Sequence, residues 1–163
     1  MLKKTCILII ILMTTLTLTA CHSDCEMNVY ELIDVLNTEY NYTFNIEDFL
    51  VEKKESIIYH TMTDNNTLLS LYSTKNETII QCTLSSFNTN NLNLFRTISK
   101  ILIKCDEKTI LTTIRNAQQN GSCEQNGWKI TIIENDIGST YILNHVNAEI
   151  NNSAKPTLKN KID

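Results

Sequence analysis

Six cysteines and three histidines are the side chains of this 163-residue chain best suited to chemistry. Cys21-His22-Ser23-Asp24-Cys25 gathers two thiols, an imidazole and a carboxylate within five residues. Those donors suit zinc or copper, but a closed zinc site takes four ligands and no second cluster supplies the remainder. The histidine sits inside the cysteine pair, which is not the spacing of a covalent haem attachment. No metal and no cofactor is expected. His60 and His145 could each act as a general base. Neither accompanies a G-x-S-x-G elbow or an H-E-x-x-H helix, and a thiol–imidazole pair would have to be assembled in space from distant positions. The acids of Glu47-Asp48 and Asp106-Glu107 are sequence neighbours, which on a helix do not face each other. Capping and solvation account for them, and no catalytic site is expected.

Composition narrows the partners. Hydrophobic residues make up 42% of the chain and charged ones 20%, an ordinary globular balance. With 14 basic against 18 acidic side chains the net charge is −4, and there is no basic stripe of the kind nucleic acid requires. Arg96 and Arg115 are the only arginines, so bidentate reading of phosphate or carboxylate is poorly served. Three glycines and one proline leave little for a glycine-built phosphate cradle.

Residues 1–20 fall into three regions: Lys3 and Lys4, an apolar run from Cys6 to Met13, and a threonine-rich segment. The run is far short of the roughly 20 apolar residues that span a bilayer. The order is that of a secretory signal peptide. It closes on Leu18-Thr19-Ala20-Cys21, an aliphatic residue, two small ones and a cysteine. This resembles the lipobox of bacterial lipoproteins, over the first 21 residues alone. The resemblance implies that Cys21 receives diacylglycerol on its sulfur, becomes the new N-terminus and is acylated there, as by palmitate. Each buried methylene adds about 0.8 kcal/mol to attachment, so the resemblance also implies a lipid anchor on the extracytoplasmic face of the cell membrane. Loss of Lys3 and Lys4 leaves 12 basic against 18 acidic residues, and an anionic leaflet would repel such a surface mildly. Abundant Asn, Ile, Lys and Thr with scarce Arg and Gly is the usual translation of an AT-rich genome. With the lipobox, it resembles the small lipoproteins of low-GC bacteria.

Beyond the signal, residues 21–27 read as a polar tether, 28–147 as one domain, and 148–163 as a polar disordered tail. Val29, Leu32, Ile33, Leu36 and Tyr40 lie on one helical face, with Asn28 and Glu31 as a capping box. Strands are expected over 56–63, 67–73 and 77–84, joined by short turns that favour antiparallel pairing. In the third, Ile80, Cys82 and Leu84 share a face. An apolar stripe from Leu94 to Cys105 predicts a second helix, capped by Asn90, Asn91 or Asn93. Asp106 then caps a third that ends at Gly121. Two further strands, 128–134 and 139–146, flank a turn at 135–138. The order α-βββ-αα-ββ predicts an α+β fold, an antiparallel sheet of about five strands with helices on one face.

Four cysteines remain once Cys6 and Cys21 are set aside, and four allow three pairings. If the second helix covers the sheet, Cys82 and Cys105 meet in the core, leaving Cys25 and Cys123 as the other pair. Tyr59, Tyr72 and Trp128 are the expected lining of any pocket between helices and sheet. The function expected is that of a non-enzymatic protein-interaction module anchored through lipid on Cys21. The alternatives are a lipoprotein that binds a small ligand or peptide and, third, a hydrolase using Cys or His.

Overall fold

A computed structural model describes residues 27–64, 66–87 and 91–147. The expected signal peptide over 1–20, Cys21, Cys25 and the cluster between them, and the expected tail 148–163, lie outside the described residues. Helix α1 spans Val29–Tyr40. A short 3-10 turn at Ile46–Asp48 follows. Then come β1 (Leu50–Lys54), β2 (Ile57–Asp64), β3 (Thr67–Thr74) and β4 (Ile79–Phe87). Helices α2 (Leu92–Ile103) and α3 (Glu107–Asn120) form the crossover, and β5 (Ser122–Gln125), β6 (Trp128–Asn135) and β7 (Gly138–His145) complete the chain.

The architecture is α+β, as the hydrophobic pattern predicts, but the sheet has seven strands in the order β1-β2-β3-β4-β7-β6-β5, every pair antiparallel. The two additional strands lie at its edges. All five residues of β1 are exposed, and β5 has only four residues, none of them buried. A strand announces itself in sequence through a buried face, and these two have none.

One apolar cluster holds the fold together. It joins Leu32 and Leu36 of α1, Phe95, Ile98 and Leu102 of α2, and Ile110, Ile114 and Ala117 of α3 to Leu69, Leu71, Cys82, Leu84, Ile130, Tyr141 and Leu143 of the sheet. The helices therefore share one face of the sheet. The opposite face carries the alternate residues: Tyr59, Tyr72, Gln81, Asn144 and Lys129 form one cross-strand row, and Thr61, Ser70, Thr83, Ile142 and Thr131 the next. Strand β4 departs from simple alternation at its start. The register shifts between Tyr72 and Ser73, a bulge that turns Ile79 into the central cluster, while Ile80 is buried outside it.

The helix ends follow their side chains. Asn28 accepts from the backbone N–H of Glu31, and Glu31 accepts from that of Asn28. Asp106 accepts from Thr109 N at 2.7 Å, and Gly121 closes α3 with φ +78°, a left-handed conformation suited to glycine. Asn91 is the exception. It occupies the cap position of α2 and makes no capping hydrogen bond.

Candidate functional site

The α2 exception leads to a concavity of the described surface. A cleft of about 540 Å³ opens where the β2–β3 turn, the loop after α1 and the first turn of α2 converge. Its apolar floor is Met62 and Leu69, which are buried, with Leu94 of α2 at the side. One wall is the loop after α1, and local hydrogen bonds fix its shape. The Asn37 side chain donates to the Phe44 carbonyl at 2.7 Å and accepts from the Phe44 N–H at 2.9 Å. Asn45 accepts from Glu47 N, starting the 3-10 turn that carries Asp48. The clamp leaves the rings of Tyr42 and Phe44 stacked, with centroids 5.4 Å apart and planes 13° from parallel. On the opposite side Asn91 Nδ2 donates to Thr67 Oγ1 and reaches Ser86 Oγ at 3.4 Å, tying the start of α2 to β3 and β4. Among the described residues of the lining, Asp48 and Asp64 are the ones with formal charges.

The residues singled out in sequence do not assemble into one pocket. Tyr59 and Tyr72 pair edge to face, 5.1 Å between centroids, on the face opposite the three described helices. Trp128 is buried on the other face, with His145 against its ring at 5.0 Å. A lining shared by all three is therefore corrected: strand parity sends the tyrosines and the tryptophan to opposite faces.

The cysteines Cys82, Cys105 and Cys123 are free thiols. The expected Cys82–Cys105 bridge is absent, and the path of α2 explains why. Its C-terminal end is held by Asn126, whose Nδ2 donates to the Ile103 carbonyl at 3.2 Å. Asn126 belongs to the β5–β6 turn, and at least two strand spacings of about 4.8 Å separate that turn from β4. A disulfide needs Cα atoms within about 7 Å. Burial alone pushes the Cys82 thiol up to about 12, which leaves it protonated and inert.

His60 is buried, and neither ring nitrogen has a hydrogen-bond partner among the described residues. Desolvation lowers its pKa, opposed by Glu77 and reinforced by Lys53. In cross-strand register Leu71 stands between His60 and Cys82, so the two are about 10 Å apart and form no dyad. Among the described residues no group of three or more His, Cys, Asp or Glu converges to hold a metal. No helix among them is long and apolar enough to cross a membrane.

Sequence reasoning missed the cleft. Asp64 reads as a turn residue and Asn91 and Asn93 as candidate caps, but Asp64 ends β2, Asn93 lies within α2 and Asn91 makes no capping hydrogen bond; what places them around one concavity is tertiary. The chain matches no family model, no curated protein and no solved structure.

Proposed function

We propose that the chain is a non-enzymatic interaction module, anchored by lipid on Cys21 at the extracytoplasmic face of the cell membrane, with its contact end turned away from the bilayer. The observation that carries this reading is the separation of two ends of β4. At the start of β4, Ile79 N donates to the Met27 carbonyl at 2.9 Å, and Asn28 bridges Thr78. Cys21 is only six residues before Met27, a reach of at most about 20 Å. At the far end of this nine-residue strand, about 26 Å away at roughly 3.3 Å per residue, lie the cleft and the exposed side chains of Phe87 and Ile137.

The cleft itself favours a second reading, a lipoprotein that binds a small ligand or a peptide. Its volume lies within the roughly 300–1,000 Å³ of small-molecule sites.

Two measurements test the first reading together. Fatty-acid label should enter the wild-type chain and be lost from Cys21→Ala. A photo-crosslinking residue in place of Ile137 should capture a partner on intact cells, and one in place of Lys75, in the turn before β4, should not. Undiminished labelling of Cys21→Ala refutes the anchor, and capture from position 75 alone refutes the orientation.

A further inference from the structure

We infer that β1 is an acid-released strap: protonation of His60 detaches it from β2 while the rest of the sheet stays paired. His60 is 2% exposed, and both ring nitrogens lack a hydrogen-bond partner among the described residues. Buried polar groups are as a rule satisfied. A neutral ring there forgoes its hydrogen bonds; an imidazolium adds a full charge that nothing receives. Register fixes the surroundings. Val51 of β1 and Leu71 of β3 stand directly opposite His60 on the same face, with Ile58 and Met62 two residues away along β2. All four are apolar.

The charged groups nearby do not relieve it. Lys53 of β1 shares the face and adds a like charge. Glu77, in the turn between β3 and β4, favours the charged ring but is outweighed by desolvation. The buried side of α1 is Val29, Leu32, Ile33 and Leu36, and its acids Glu31, Asp34 and Glu39 are exposed, as are Glu47 and Asp48 before β1. Arg96 and Lys100 of α2 pair with Glu107 of α3. A protonated ring must therefore reach water. Strand β3 is held on both sides, whereas β1 has one partner strand and buries no side chain. Local opening follows the least buried element, so β1 is the part that gives way. Its departure bares the outer edge of β2, an eight-residue strand whose N–H and C=O groups can then accept an added strand.

The switch rests on neither the lipid anchor nor a ligand in the cleft. Its test is hydrogen exchange read by amide NMR on the full chain in neutral detergent, with protection factors corrected for the intrinsic pH dependence of exchange. Between pH 7.5 and 5, protection of the β1–β2 pairs should fall, by up to about tenfold for each pH unit below about 6.5, while that of β6–β7 holds. The His60 ring resonances should titrate over the same range. His60→Leu should abolish the fall. Lys53→Gln, a change at an exposed position, should lessen it, because the ring then protonates at less cost. Protection of β1 that is absent at pH 7.5 or indifferent to pH refutes the strap, and an equal loss in β6–β7 means global unfolding and refutes it too. A fall that persists in folded His60→Leu removes His60 as the trigger. Should that variant not fold, a wild-type ring that stays neutral at pH 5 while β1 opens overturns the assignment by itself.

Discussion

At the start of β4 the chain is tied down on every side. Asn28 and Glu31 cap α1 reciprocally, Ile79 bonds the Met27 carbonyl, and nearby Trp128 is buried against His145. At the other end of the same strand the first turn of α2 has no acidic residue and no side-chain cap, because Asn91 bonds Thr67 and Ser86 instead. A helix N-terminus leaves N–H groups without intrahelical partners, and α1 and α3 each meet that need with a side chain. The difference teaches where local stability has been given up. The same asparagine that fails to cap α2 holds open the geometry of the cleft.

The contrast can be broken at its strongest point first. Trp128→Ala, at the tied end, should cost about 3–5 kcal/mol in chemical denaturation. A cost below 1 kcal/mol would mean that the tied end is no more secure than the cleft. A smaller effect is expected at the caps, with opposite signs at the two ends. Asp106→Ala should destabilise by about 1 kcal/mol. Asn93→Asp, which supplies an acid to the first turn of α2, should stabilise by about 0.3–1 kcal/mol. Equal and opposite behaviour in the same denaturation series confirms that only α2 has room for improvement; destabilisation by Asn93→Asp would show that the helix end is already satisfied.

The smallest effect at neutral pH belongs to His60 and grows on acidification. Its pKa in the folded state lies below the ordinary 6.5, so the unfolded chain takes up its proton first. Stability from this group is complete above about pH 6.5 and falls as pH drops from there towards the lowered folded value. Asp106, whose pKa is lowered chiefly by its hydrogen bond from the Thr109 backbone, acts in a separate window. Its contribution is lost only as pH falls from about 3.8. A melting temperature flat between pH 7 and 5 in the wild type, or a slope there that survives His60→Leu, would remove His60 from the account.

The fold was readable wherever burial imposed a period or a cap imposed chemistry. Val29, Leu32, Ile33 and Leu36 recur at helical spacing and are all buried in α1. Asn28, Asp106 and Gly121 each do at the helix ends what their side chains, or the lack of one, allow. Glu52, Lys53 and Lys54 pair with β2 without burying a face, so no alternation marks β1. The bulge opposite Ser73 changes which isoleucine enters the central cluster, a decision made by the partner strand. Cys82 was placed correctly in the core, but its partner depended on where α2 ends relative to β6, which helical spacing does not encode. The cleft was illegible for the same reason: Asp48, Asp64 and Asn91 come from three separate places in the chain, the loop after α1, the end of β2 and the start of α2.

The pairing of β4 with β7 also sets how the chain must fold. Strands β1 to β4 form a meander of short turns, and α3 to β7 are joined just as locally. Ser85 and Thr140, which share a hydrogen bond across the join, are 55 residues apart. Loop-closure entropy weighs most heavily on such a contact, so non-local pairing slows folding. Two locally connected halves can form early, and the slow event is their meeting along β4 and β7. Gly138 stands on that seam, where an added Cβ would lie 2.1 Å from the Ser86 carbonyl oxygen. A side chain there would obstruct the meeting of the halves while leaving each half able to form.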